Sequence, residues 1–257
     1  MSPSRTAIVA PQPLTAPAPT PPQLPTPDAL RAQIPMSALA KKTTALARRD
    51  IARVLAGRDD RMVVIAGPCS VHDPDAALSY AERLSALAAE TRDRLIVVMR
   101  VYVEKPRTRV GWKGLLSDPR LDGSHDLPSG LGLARGLMTQ IAGTGLPVAC
   151  EFLDPLVPHY LADAVAWGAI GARTVQSQVH RQLSSGLAMP IGFKNTTDGG
   201  VRDAVDAVVS AAGTHVYPGI DGDGRAAVVA TRGNPDGHVV LRMENFGSPA
   251  EISVTFV

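Results

Sequence analysis

Short apolar runs alternate with longer amphipathic stretches along most of this 257-residue chain. Residues 62–66, 95–102, 147–153, 169–173, 190–194 and 238–242 are mainly apolar without strict alternation, the pattern of strands buried on both faces in a parallel sheet. Between them the spacing predicts helices over 37–56, 74–90, 130–143, 158–167, 178–187 and 200–212. Asp73 is placed to cap the second of these with Pro74 at its first position, and Gly57 to close the first. Residues 214–220 and 226–231 flank the turn Asp221-Gly-Asp-Gly224 and predict a hairpin. This regular strand–helix alternation predicts an α/β fold with six parallel strands, two short of a closed eight-stranded barrel.

Four of the six runs end in a base, at Arg100, Arg173, Lys194 and Arg242. A charge at the end of a buried strand is costly unless something anionic meets it, and α/β folds bind ligands at the carboxyl ends of their strands. Convergent Arg and Lys there point to phosphates or carboxylates on a small molecule. The net charge is only +2, so these bases are not part of a general cationic surface. That balance, with aromatic residues at 4%, weighs against nucleic acid and anionic membranes as partners.

Two cysteines far apart, Cys69 and Cys150, suit a reducing compartment with neither in a disulfide. No apolar stretch approaches the roughly 20 residues of a membrane span. The first residues lack the pattern of a secretory signal, so a cytoplasmic location is expected. Residues 1–35 hold 10 of the 22 prolines and are expected to form an extended or disordered arm.

The motifs sharpen the anion reading. Gly67-Pro-Cys-Ser-Val-His-Asp73 follows the first strand, where small residues let backbone approach a ligand and Cys69 could bind a metal or act as a thiolate. Arg100-Val-Tyr-Val-Glu-Lys-Pro-Arg-Thr108 gathers Arg100, Lys105 and Arg107 at one strand end, with Pro106 stiffening the loop; this set suits a phosphate ester. Glu151 follows another buried run and could pair with the arginines, move a proton, or serve a structural ion pair. Cys150 reads as core, and His72, His180 and His238 as hydrogen-bonding residues. Neither a nucleotide-binding Gly-rich loop nor a nucleophile elbow occurs.

These motifs, with Val-Gly-Trp-Lys-Gly-Leu (110–115), Glu-Phe-Leu-Asp (151–154), Trp-Gly-Ala-Ile-Gly-Ala-Arg-Thr (167–174), Ser-Gln-Val-His-Arg (177–181) and Gly-Phe-Lys-Asn (192–195), resemble class I DAHP (3-deoxy-D-arabino-heptulosonate 7-phosphate) synthase, of the aromatic-feedback-regulated type. The resemblance runs from about residue 36 to Arg242. It implies a (β/α)8 TIM-barrel fold, here truncated after about six strands, that condenses phosphoenolpyruvate with erythrose 4-phosphate in the shikimate pathway. It further implies that Arg100, Lys105, Arg173, Lys194 and Arg242 hold phosphoenolpyruvate, with Glu151 in the same site and Gly171 and Ala172 giving backbone contacts. Arg107 and Thr108 would hold the erythrose 4-phosphate phosphate, and Lys105 and Arg100 would serve catalysis. Cys69 would be a ligand of a divalent metal of the Mn2+, Fe2+ or Co2+ type.

An aromatic amino acid effector and a homo-oligomer, built on the N-terminal segment and the face near 145–185, are also implied. The chain departs from the family after Arg242: residues 243–257 read as a divergent tail, and the family's other three metal ligands, His, Glu and Asp, are absent. Val175-Gln176 stands where the family usually has an acidic residue before Ser-Gln. The alternative to a synthase is a catalytically inactive homologue that binds phosphoenolpyruvate or regulates a partner.

Overall fold

A computed structural model of the protein describes residues 22–241. The strands are β1 (Met62–Ala66), β2 (Leu95–Arg100), β3 (Val148–Glu151), β4 (Trp167–Ile170), β5 (Ile191–Lys194), β6 (Val216–Ile220), β7 (Ala226–Ala230) and β8 (Gly237–Val240). The helices are α1 (Pro27–Gln33), α2 (Ala38–Leu55), α3 (Pro74–Glu90), α4 (Leu127–Gly143), α5 (Val157–Leu161), α6 (Gln178–Gly186) and α7 (Arg202–Ala212). Six strands form one parallel sheet in the order β1-β2-β3-β4-β5-β8, and β6 and β7 pair as a separate antiparallel hairpin. The sheet curls into a half-barrel of the six parallel strands that the strand pattern predicts.

Strand parity divides the core in two. Val97, Met99 and Val101 pack outward with Ala77, Ala81 and Leu84 of α3 and with Leu131, Leu137 and Met138 of α4. Ile96, Val98, Tyr102, Ala149, Trp167, Ala169 and Val240 make a second cluster on the concave face, with Val63 and Ile65 against it. Ile51 of α2 enters that cluster at 1% exposure, and Arg48 donates to the carbonyls of Ala162 and Val165 just ahead of β4. Helix α2 therefore packs at the amino end of the half-barrel, away from the carboxyl ends of the strands.

Asp73 caps α3 through its carboxylate, which accepts from the Ala76 amide, and Pro74 opens the helix where a missing N–H costs nothing. In α4, Asp126 caps in the same way, so that helix starts at Leu127 rather than 130. Other elements depart further from expectation. The helix expected over 158–167 stops at Leu161 and tightens into a 3-10 turn at Ala162–Ala164, and Trp167 opens β4. The cause lies across the concave face, where the Trp167 indole N–H donates to His238 Nε2 at 3.0 Å. Gly192 makes the room, since a Cβ there would sit 2.4 Å from Trp167 Cζ2.

Strand β4 ends at Ile170, and the amides of Thr174 and Val175 both turn back onto the Gly171 carbonyl, so Arg173 stands in a turn rather than at the end of a strand. The proline-rich arm, expected to be extended or disordered over 1–35, is helical in part. Thr26 caps α1, Pro27 takes its first position, and Leu30 is buried. Tyr160 Oη donates to the Pro25 carbonyl and Arg135 Nε to that of Ile34, which ties the segment down. Residues 1–21, Arg242 and the tail 243–257 lie outside the described residues.

Candidate functional site

The carboxyl ends of the strands bring most of the expected residues together. Arg100 ends β2 on the concave face at 7% exposure. Its Nε donates to the Pro68 carbonyl at 2.8 Å and its Nη2 to that of Gly67 at 2.9 Å, which fastens the loop after β1 to the second strand. Two residues on, the buried Tyr102 ring meets Arg100 Cζ at 5.5 Å and Lys194 Nζ at 5.3 Å, cation–π distances on one ring. Burial, reinforced by Glu151, pushes the Tyr102 phenol well above its usual range and keeps it neutral.

Lys194 ends β5 and pairs with the buried carboxylate of Glu151, which ends β3. Of the roles open to Glu151, the geometry shows an ion pair with a lysine and none with an arginine. Gly171 abuts the other oxygen: a Cβ there would stand 2.5 Å from Glu151 Oε1, so only glycine lets the turn after β4 approach so closely. Ala172 continues that turn, partly exposed, and Arg173 reaches from it to Thr108 Oγ1 at 3.1 and 3.3 Å. This contact joins the loop after β2 to the turn after β4.

Lys105 Nζ donates to Ser70 Oγ at 3.3 Å and lies 3.7 Å from Cys69 Sγ. Arg107 turns its Nε to the Trp112 carbonyl at 2.7 Å. Among the described residues, Arg100, Lys105, Arg107 and Arg173 form no ion pair with a carboxylate. Cations gathered at an open end without carboxylate partners suit an anionic ligand. The opposite end offers a cleft between Asp59–Met62 and Asp93–Leu95, where Arg61 pairs with Asp50 and Asp59 and Arg94 with Asp93. Arg61 and Arg94 there already pair with carboxylates, unlike the four cations at the carboxyl end.

Two contributors were not singled out in the sequence. Tyr102 and Glu104 both lie inside the motif that begins at Arg100, and parity was the available signal. Val101 and Val103 belong to the outer core, so every second residue from Arg100 turns to the other side. Glu104 is buried, and its two oxygens accept from the amides of Leu153 and Asp154 at 3.1 and 3.0 Å. Cys150 is free and buried in the outer core, as expected. His180 and His238 are hydrogen-bonded: His180 Nε2 donates to the Leu153 carbonyl at 2.8 Å, and burial lowers His238 to about 4.

The implied metal does not fit the described residues. Cys69 is exposed and in no disulfide, and among the described residues no group of three His, Cys, Asp or Glu side chains could hold an ion. A single thiolate is not a coordination set. No described helix is long and apolar enough to cross a membrane.

The chain is similar to known proteins. Residues 34–250 match the DAHP synthetase I family, so the likeness extends past Arg242, where the motifs alone end. The chain is 52% identical over 227 residues to the Tyr-sensitive phospho-2-dehydro-3-deoxyheptonate aldolase of Escherichia coli (strain K12), covering 87% of this chain and 64% of the relative. It is 57% identical over 195 residues to the phospho-2-dehydro-3-deoxyheptonate aldolase of Corynebacterium glutamicum, covering 76% of this chain and 53% of the relative. The solved phospho-2-dehydro-3-deoxyheptonate aldolase of Francisella tularensis SCHU S4 superposes with a TM-score of 0.85 at 47% identity, covering 87% of this chain and 65% of that one. The chain thus spans between 53% and 65% of the length of these relatives. On fold, motif order and identity together, the chain belongs to the DAHP synthetase I family.

Proposed function

We propose that the open end of the half-barrel is the substrate site of a 3-deoxy-7-phosphoheptulonate synthase, which condenses phosphoenolpyruvate with erythrose 4-phosphate. The observation that carries this reading is the set of cations at the carboxyl ends of the strands, Arg100, Lys105, Arg107 and Arg173, that pair with no carboxylate among the described residues. Phosphoenolpyruvate brings a phosphate and a carboxylate, and erythrose 4-phosphate a second phosphate, so the two substrates together need several cationic donors. Arg100, Lys105, Arg173 and Lys194 take phosphoenolpyruvate in this reading, with Arg242 from beyond the described residues and the backbone of Gly171 and Ala172. Arg107 and Thr108 take the phosphate of erythrose 4-phosphate.

In the condensation, C3 of phosphoenolpyruvate attacks the aldehyde carbon of erythrose 4-phosphate, whose oxygen takes a proton, while water adds at C2 and inorganic phosphate leaves from C2. The protein's own part is positional. Lys194 is neutralised by Glu151 until an anion competes for it, and the Arg173–Thr108 contact sets the spacing between the two phosphate subsites. The reading includes an aromatic amino acid effector, because relatives are named as Tyr-sensitive or Phe-sensitive, and a homo-oligomer.

The test is consumption of phosphoenolpyruvate, followed by its ultraviolet absorbance, with erythrose 4-phosphate and Mn2+ supplied. Consumption that requires both substrates and is lost in Lys105→Ala and Cys69→Ala supports the synthase. No consumption by a protein that still binds phosphoenolpyruvate supports the second reading, a binding or regulatory homologue. One observation favours that alternative: among the described residues no group of three His, Cys, Asp or Glu side chains could hold a metal ion.

A further inference from the structure

Two segments must keep station if the cations are to grip one molecule: the run after β2 that carries Lys105 and Arg107, and the turn after β3 that follows Glu151. One side chain joins them. Glu104 sits immediately before Lys105, is 6% exposed, and inserts both carboxylate oxygens into the turn, Oε2 accepting from Leu153 N and Oε1 from Asp154 N. The same Leu153 peptide is gripped on its carbonyl side by His180 of α6, whose Nδ1 lies 2.9 Å from Ser177 Oγ. On the other side Lys105 reaches Ser70 and Cys69, so the ends of β1, β2 and β3 form one stitched edge.

The choice of residue is informative. Among the described residues no cation pairs with Glu104; its charged and titratable neighbours are the carboxylates of Glu151 and Asp154 and the Cys150 thiol. Burial pushes its carboxyl up to about 7 against an ordinary 4.5. A fold seeking stability alone would avoid this group. A carboxylate nevertheless supplies what no amide can, two acceptors in one plane for two successive N–H groups. We propose that Glu104 is a positioning residue that holds Lys105 in register with the Glu151–Lys194 pair, and so sets the affinity for the anionic substrate. This inference rests on the substrate-site reading above.

Two readouts on the full chain separate the inference from that reading. Amide hydrogen exchange at Leu153 and Asp154 tests the latch without any ligand, and titration with phosphoenolpyruvate tests its consequence. In Glu104→Gln one acceptor is lost, and exchange at one or both amides should quicken about tenfold, with affinity weakened about tenfold. Glu104→Ala should exceed both effects. The ratio of wild-type to Glu104→Gln affinity should shrink towards one as pH falls from 8 to 6, because the protonated carboxyl also offers a single good acceptor. A purely structural role would lower the melting temperature but leave the affinity of the folded variant unchanged, and that result overturns the proposal. Unchanged exchange at both amides in Glu104→Gln and Glu104→Ala overturns it as well. Wild-type protein that binds no phosphoenolpyruvate overturns the substrate-site reading and the affinity claim, while the exchange rates still decide whether the latch exists.

Discussion

A lysine at the end of a buried strand is held by the charge beside it. The Glu151 side chain is 7% exposed and that of Lys194 17%, so removing the lysine strands a carboxylate away from water. Lys194→Met should therefore cost about 2–4 kcal/mol in urea unfolding, while the double variant Lys194→Met/Glu151→Gln should recover most of that loss. Simple additivity of the two single changes would contradict the coupling.

Glu104 gives a pH dependence with a definite sign. Its carboxyl titrates near 7 in the fold against an ordinary 4.5, so between those values the folded state keeps a proton that the unfolded chain has released. Stability contributed by this group falls as pH rises through that window, by on the order of 3 kcal/mol at most. Unfolding free energies from pH 5 to 8 should decline more steeply in the wild type than in Glu104→Gln; equal slopes would count against the assignment. Cations such as Arg100 and Lys194 were legible in the sequence because a base closing an apolar run is conspicuous. Tyr102, the ring that both cations meet, and Glu104 were not, because burial of a polar group depends on what the next strand places opposite it.

Among the elements, α1 shows how a proline-rich stretch can be ordered by contacts that composition does not reveal. Arg135 of α4 is 1% exposed and donates to the carbonyls of Ile34 and Tyr160 and to both oxygens of Asp163. Arg31 adds a bond to the His159 carbonyl, and Asp28 N donates to Gly222 O in the turn of the β6–β7 hairpin. Arg135→Leu should cost about 3 kcal/mol, since it leaves two carbonyls and a half-buried carboxylate without their donor. Limited proteolysis should then cut within residues 22–36 before any other site; an unchanged digestion pattern would show that α1 is held otherwise. Local rules served well where caps are local, as at Asp73. They failed at Trp167, whose place in a strand is decided by His238 and Gly192 across the concave face. The departure at Gln176 has a similar distant cause: its amide donates to the Asp203 carboxylate of α7 at 2.7 Å, where an acidic side chain would be repelled.

For the molecule as a whole, the division of labour follows from parity and polarity. The convex face of the sheet carries the helices, α2 packs at the amino end, and the carboxyl end gathers cations whose nearest partners are backbone carbonyls, hydroxyls and a thiol. Six parallel strands were readable as apolar runs, and so was the end proposed here to bind a ligand, because that follows from strand direction alone. The metal centre was not: its ligands do not assemble among the described residues, and a lone Cys69 carries no spacing to read. The most direct test of the central claim is calorimetric titration of phosphoenolpyruvate into the full chain, beside Lys105→Ala and Arg173→Ala. The account predicts saturable binding by the wild type that weakens at least tenfold in each variant. No binding by the wild type, or equal affinity in all three proteins, would contradict it.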